Sequence, residues 1–96
     1  MAWAYVQDNS GMDPGMYDKV AAELGDDPPE GLIVHAAGPH GDGMRIIDVW
    51  ESEGAYMKFR DGPLTSAVQK VIGPDGMAQG PPPIDPMPVH NIVRGS

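Results

Sequence analysis

A carboxylate and an imidazole lie in two neighbouring apolar runs of the sequence. Asp48 falls inside MRIIDVW, between Ile46 and Trp50 on one face of a strand, and His35 falls inside LIVHAA. A buried carboxylate is costly unless it is paired, hydrogen-bonded or protonated. An apolar enclosure would raise the pKa of Asp48 and suit it to general acid–base catalysis, with His35 as a partner that polarises or relays the proton.

The same residues also have structural interpretations. Asp48 could be a structural carboxylate bonded to a neighbouring strand or to a partner chain, and His35 a hydrogen-bonded histidine of a sheet wall. Trp50 and Tyr56 would position a substrate ring, although such aromatic residues are also common in cores. His90, near the carboxyl end, is a further candidate for substrate contact.

Composition excludes several other classes of site. The chain has no cysteine, and its His and acidic residues lack metal-ligand spacing, so we expect no disulfide and no metal. No glycine-rich phosphate loop and no Ser or Cys nucleophile signature occurs, and no cofactor is expected. The net charge of −8 argues against a nucleic-acid partner.

Length and hydropathy predict a small cytoplasmic protein. The chain has 96 residues, of which 41% are apolar, and this predicts a single domain over 1–96. The first residues lack the pattern of a signal peptide, and no apolar segment approaches membrane-spanning length. We therefore expect no membrane association.

The apolar periodicity predicts the elements that hold the candidate residues. Strands are predicted over 2–7, 32–37, 44–50 and 89–93 (VHNIV). A helix should begin at Asp13 and end at Gly25, and a second should begin at Ser52 and end at Gly73, with an interruption at Gly62-Pro63. The order βαββαβ predicts an α+β, ferredoxin-like fold, an antiparallel four-stranded sheet with helices on one face.

The turn-rich segment 38–43 predicts a hairpin between the second and third strands. If Ala37 lies opposite Met44, then Ile33 lies opposite Asp48. One face is purely apolar and is predicted to pack under the helices; it carries Leu32, Val34, Ala36, Ile47 and Val49. The other face would look away from the helices; it carries Trp3, Tyr5, Ile33, His35, Ile46, Asp48 and Trp50.

A sheet face with so many large apolar residues invites association. A two-fold homodimer, joined face to face, would enclose it as a cavity for a hydrophobic small molecule. Asp48 and His35 would be the polar groups of that cavity. The residues expected to bind substrate are Trp3, Tyr5, Ile33, Ile46, Trp50, Tyr56 and His90.

Residues 73–88 form a segment rich in proline and glycine. Proline stiffens a chain toward polyproline II, so the segment is interpreted as an ordered arm or lid over the cavity. A plain spacer to the last strand is the alternative.

The motif DVWES, with Tyr56 six residues after Trp50, is similar to the antibiotic biosynthesis monooxygenase-like branch of the dimeric α+β barrel superfamily. The stretch from GLIVHAAGP to PVHNIVRG also resembles small bacterial members of this group. Quinone-forming oxygenases of the family have a substrate-binding asparagine four residues before the tryptophan, where this chain has Ile46. Haem-degrading relatives use a helical histidine, and no histidine lies in a predicted helix here, so haem is disfavoured.

The resemblance and the candidate site together predict a small cofactor-independent enzyme of secondary metabolism. It would bind an aromatic or polyketide-like molecule and carry out cyclisation, dehydration or isomerisation, with Asp48 as the acid or base. The alternatives are a cofactor-free monooxygenase of the antibiotic-biosynthesis type and a non-catalytic, ligand-binding accessory protein.

Overall fold

The computed structural model describes residues 2–77 and 82–95. The strands are β1 (Trp3–Ser10), β2 (Leu32–His40), β3 (Gly43–Trp50) and β4 (Ile84–Pro88). The helical segments are α1 (Pro14–Leu24), α2 (Glu53–Phe59), a π-helical turn (Arg60–Leu64) and α3 (Thr65–Met77). The four strands form one sheet in the order β2-β3-β1-β4, and each neighbouring pair is antiparallel. The predicted ferredoxin-like α+β fold is confirmed.

Both predicted helix starts are confirmed by their capping bonds. The Asp13 side chain accepts a hydrogen bond from the Met16 amide at 2.7 Å, and the Ser52 hydroxyl accepts one from the Ala55 amide at 3.1 Å. Each cap satisfies an amide that has no partner within the helix. After α1, Gly25 takes a φ of 83° and its amide donates to the Ala21 carbonyl at 3.1 Å, which ends the helix where the sequence predicts.

The predicted interruption at Gly62-Pro63 is instead a change of helical pitch. The chain passes from α2 to α3 through the π-helical turn, with Pro63 inside it. Proline has no amide to donate and its ring crowds the preceding turn of an α-helix, and a widened turn accommodates both properties. The Thr65 hydroxyl donates to the Arg60 carbonyl at 2.6 Å. Gly73, with a φ of 73°, kinks α3 at the predicted end.

The prediction of a last strand at VHNIV is wrong. Strand β4 lies earlier, at Ile84–Pro88, where it pairs with β1, and the Val89 amide then donates to the Ala2 carbonyl at 3.0 Å. An edge strand has one unpaired side, so Pro86 and Pro88, which lack an amide hydrogen, are tolerated there. Part of the predicted arm 73–88 is therefore a strand. Residues 78–81 of the arm lie outside the described residues.

The helices cover the opposite sheet face from the one predicted. Tyr5 and Trp50 pack with Tyr56 of α2 in the buried cluster, so the face predicted to look away from the helices lies beneath them. We call the other side the open face; it carries Val6, Val34, Ile47, Val49 and Met87. Aromatic rings on α2 pack against aromatic rings on the sheet. Because such rings bury more area than Val or Ala, the helices cover the aromatic face. In the chain as described, no helix is long and apolar enough to span a membrane.

Candidate functional site

The pairing of β2 with β3 brings His35 directly opposite Asp48. The predicted register is wrong by two residues, because Pro39 rather than Ala37 lies opposite Met44. The strands run to a two-residue turn at Gly41-Asp42, where Gly41 has a φ of 60°. Glycine in the first position with positive φ is the pattern of a type II′ hairpin turn. A slip of two residues keeps every side chain on its face, so the candidate residues still share one side of the sheet.

An irregularity in β2 separates Ile33 from the site. The register shifts between Leu32 and Val34, so that Leu32 lies opposite Trp50 and packs against the core. Ile33 is the extra residue of this bulge. The predicted contact between Ile33 and Asp48 is therefore wrong.

Asp48 is buried and its carboxylate is held by three side chains. The Tyr5 hydroxyl donates to Oδ2 at 2.7 Å, the Trp50 indole N–H donates to the same oxygen at 3.2 Å, and His35 Nδ1 lies 2.5 Å from Oδ1. These partners lie on three strands of the sheet. Such bonds offset the cost of removing a carboxylate from water.

His35 extends this network to α1. Its Nε2 lies 2.5 Å from the Tyr17 hydroxyl, and the two rings are nearly parallel, with an interplanar angle of 3°. The three side chains form a continuous hydrogen-bonded series, which we call the relay: Tyr17, His35 and Asp48. The relay runs from the interior outward, since the Asp48 side chain is 5% exposed and that of His35 is 34% exposed.

Two groups of the relay titrate away from their ordinary values. The hydrogen bond that His35 donates to Asp48, assisted by the charge of that carboxylate, raises the pKa of His35 above 6.5 against the opposing effect of burial. Burial and then the charge of Asp48 raise the pKa of Tyr17. Burial and the hydrogen bond to Asp48 also raise the pKa of Tyr5, so that its hydroxyl remains a donor. The network can therefore hold a proton on the imidazole but keeps both phenols protonated.

The aromatic residues predicted to bind substrate form a packed cluster. Ring centroids lie 5.6 Å apart for Trp3 and Tyr5, 4.7 Å for Tyr5 and Tyr56, and 5.8 Å for Trp50 and Tyr56. Trp50 is 1% and Tyr56 4% exposed. Ile46 packs against the same cluster. Two residues of this cluster, Tyr5 and Trp50, also donate hydrogen bonds to Asp48, and substrate binding by the cluster stays a prediction.

Two recesses among the described residues lie away from the relay. One, of about 420 Å³, is lined by Val6, Arg45 and Ile84 among others, and another, of about 200 Å³, runs along the open face between Ile47 and Met87. The relay itself reaches the surface between α1 and β2, through His35 and the half-buried Tyr17. At that edge the ionisable groups of the relay come nearest to the surface.

The structure separates two predicted site residues from the rest. His90 lies beyond β4 and is exposed, and Ile33 lies in the bulge. It also adds one residue that sequence reasoning missed. Tyr17 lies inside the helix predicted between Asp13 and Gly25, and no spacing in the sequence indicates which strand residue its hydroxyl contacts. Within residues 2–77 and 82–95, no group of His, Asp or Glu is arranged to hold a metal ion.

Comparison with known proteins gives a clear likeness at the level of the fold. No family model matches the chain, and no curated protein matches it in sequence. A solved structure of a candidate antibiotic biosynthesis monooxygenase from Chloroflexus aurantiacus has a TM-score of 0.59 at 18% identity, covering 99% of this chain and 100% of that one.

Two structures from Streptomyces are also similar to this chain in fold. A variant of SnoaB, a cofactor-independent oxygenase from Streptomyces nogalater, has a TM-score of 0.58 at 11% identity and covers 98% of both chains. A Streptomyces coelicolor monooxygenase in complex with the ligand nanaomycin D has a TM-score of 0.53 at 20% identity, covering 99% of this chain and 92% of that one. The chain therefore has the same fold as these monooxygenase structures, and this likeness agrees with the resemblance carried by the motif around Trp50.

Proposed function

We propose that this protein is a cofactor-free oxygenase of small phenolic or polyketide-like molecules, in which the relay removes the proton that starts the reaction. The observation that carries the proposal is the continuous bonding from the buried Asp48 through His35 to the surface. A histidine backed by a buried carboxylate is a suitable general base, because the carboxylate stabilises the imidazolium formed when the proton arrives.

The likeness of fold supports oxygenation over the cyclisation, dehydration or isomerisation first inferred from the sequence. Two of the similar structures are described as a cofactor-independent oxygenase and a monooxygenase, and the second holds a small organic ligand. Neither description concerns cyclase or dehydratase chemistry. The oxygenase alternative therefore becomes the main proposal.

The proposed reaction needs O2 as the oxidant and no other co-reactant. The relay takes the hydroxyl proton of a phenol, and the electron-rich phenolate then bonds to O2 at a ring carbon. The proton returns to the peroxide so formed. Loss of the ring hydrogen and cleavage of the O–O bond give a second carbonyl and one water, so that one phenol and one O2 become one quinone and one H2O. The chain's own residues supply only proton transfer and binding.

Proton-transfer chemistry without O2 is the second candidate. Ile46 favours this candidate, because it is an apolar residue at the position where quinone-forming oxygenases of the family have asparagine. In this chain Ile46 packs against the aromatic cluster. A site without that amide keeps its acid–base pair but has fewer groups to orient a substrate for attack on O2. A non-catalytic ligand binder is the outcome if no turnover is found.

The test is turnover of polycyclic phenols and poly-β-keto compounds with and without O2. We expect consumption of one O2 per quinone formed, detected with an oxygen electrode and by absorbance. Turnover that persists under argon would replace oxygenation with acid–base chemistry. His35→Gln should lower kcat by about two to four orders of magnitude. His40→Gln, an exposed histidine of the same strand, is the matched control and should keep full activity.

We also propose that two copies of the chain associate through the open face. Val34 is 51%, Ile47 46% and Met87 59% exposed, and an apolar surface of this kind on a sheet favours association. A second copy packed there would form a homodimer, on the opposite side of the sheet from the one predicted from the sequence. A single domain over 1–96 and a cytoplasmic location remain predictions beside it.

A further inference from the structure

Neither ring nitrogen of His35 is free to meet a substrate. Nδ1 is 2.5 Å from Asp48 Oδ1, and Nε2 is 2.5 Å from the Tyr17 hydroxyl. The 34% of the side chain that is exposed therefore leaves no unpaired nitrogen for a proton from outside. If His35 is the base of the proposed function, the proton must reach it through another group.

The bonding of Asp48 fixes the tautomer of His35. A carboxylate has no proton to donate, so Asp48 accepts from His35 at Oδ1 just as it accepts from the Tyr5 hydroxyl and the Trp50 indole at Oδ2. The proton between His35 and Asp48 therefore lies on Nδ1, and Nε2 of the neutral ring is an acceptor. The Tyr17 hydroxyl must then donate to Nε2, and among the described residues no group donates a hydrogen bond to its oxygen, which therefore keeps lone pairs free to accept one.

We propose that Tyr17 is a catalytic residue whose hydroxyl oxygen receives the substrate's proton while its own proton passes to His35 Nε2. The inference rests on the proposed function and deepens it by naming the group that touches the substrate. The substrate class that fits is a neutral phenol or enol, because its hydroxyl can donate directly to the Tyr17 oxygen.

The two proton movements must occur together. The substrate O–H bond breaks as a new O–H bond forms on Tyr17, and the former Tyr17 O–H bond breaks as the Nε2–H bond forms. The products are a substrate anion, a neutral Tyr17 and an imidazolium beside Asp48. Tyr17 carries no lasting charge, which agrees with its burial and with the nearby charges of Asp48 and of Asp18 on α1, all of which disfavour a free tyrosinate. The remaining group near the imidazolium is the neutral phenol of Tyr5, bound to the same carboxylate.

The decisive variant is Tyr17→Phe, which keeps the ring and removes only the hydroxyl. We expect kcat to fall about a hundredfold or more, with an unchanged melting transition. Combined with His35→Gln, the losses should be far from additive, because the two residues act as one unit. Asp18→Asn, at the neighbouring and exposed position of α1, is the control for local charge and should change kcat less than about threefold.

The outcomes separate this inference from the proposed function. Full turnover in Tyr17→Phe with loss of turnover in His35→Gln would overturn the role of Tyr17 and leave the base in place. Faster turnover in Tyr17→Phe would also overturn it, since Tyr17 would then block His35. Full turnover in both variants, or none in the native protein, would overturn the proposed function itself.

A readout without substrate tests the geometry alone. Nitrogen-15 NMR of labelled histidine distinguishes the two neutral tautomers. We expect His35 to carry its proton on Nδ1 above the pKa of the ring. A proton on Nε2 in the native protein would overturn the inference whatever the turnover, because Tyr17 could not then donate.

Discussion

His35 and Asp48 occupy facing positions on adjacent antiparallel strands, and the sheet itself sets the 2.5 Å contact between Nδ1 and Oδ1. Directly opposed side chains on one face stand close enough to interact without any loop to position them. Asp48 is also the neighbour of Tyr5 across the β1–β3 pair. One carboxylate is thus held by strands on both sides, which fixes its position in the sheet.

Asp48→Asn should preserve the shape of the site and remove its charge. We expect kcat to fall by about two to four orders of magnitude, because the imidazolium loses its counter-charge and the amide can hold His35 in the wrong tautomer. Steady-state kinetics beside urea denaturation measures both effects. Asp27→Asn, an exposed turn residue, is the matched control. A fully active Asp48→Asn protein would make the carboxylate structural.

The free energy of unfolding should depend on pH through His35. Its pKa is raised in the folded state, so the native protein binds this proton more tightly than the unfolded chain does. The resulting stabilisation is complete below the ordinary pKa of about 6.5 and is lost as the pH rises through the raised value.

Urea denaturation of the native protein and His35→Gln between about pH 5 and pH 9 measures this effect. The stability of the native protein relative to the variant should decline with increasing pH across the upper part of that range. His40→Gln should follow the native curve. A difference that grows with pH would contradict the charged pairing of His35 with Asp48.

Ile47→Lys tests the open face as a dimer interface. The native chain should scatter light as a particle of twice its 10.2 kDa mass. A lysine at this 46% exposed position would place an unpaired charge in the interface and should raise the dimer dissociation constant about a hundredfold or more. Met57→Lys, at a 41% exposed position on α2, is the control and should leave the dimer intact. A native chain that is monomeric at micromolar concentration would remove the dimer proposal.

Gly43→Ala should strongly destabilise the hairpin next to the site. A Cβ at this position would lie 1.9 Å from the backbone oxygen of Asn9 on β1, and a backbone atom cannot move aside without opening the sheet. We expect a loss of about 3 kcal/mol in the free energy of unfolding. Gly38→Ala, in the same hairpin, meets nothing within 4 Å and should be close to neutral. Equal stability of the two variants would contradict the pairing of β1 with β3 at this end.

The predictions that depended on local chemistry are confirmed. Asp13 and Ser52 cap their helices, because a cap is decided within a few residues of sequence. The last strand was misplaced for the opposite reason. VHNIV has the stronger strand propensity, but pairing with β1 selected the proline-containing IDPMP, a choice that only the rest of the sheet decides.

The sequence also could not predict which face of the sheet the helices cover. Both faces of β3 carry large apolar residues, and alternation fixes which residues share a face but not which face the helices cover. Tyr56 and Phe59 of α2 decide it by packing against Trp50. The contact of Tyr17 with His35 joins residues 18 positions apart on different elements, so it follows only from the packing of α1 on the sheet.

The two-residue turn at Gly41-Asp42 has an evolutionary consequence. If this turn keeps its two residues, insertion or deletion of one residue between His35 and the turn moves His35 to the open face and leaves Asp48 beneath the helices without its partner. A change of two residues keeps the faces and only exchanges which side chain lies opposite Asp48. Among descendants of the chain that keep this pair, length variation should therefore be taken up by a longer turn, or occur in even steps within β2 with a histidine that moves along the strand to stay opposite the carboxylate.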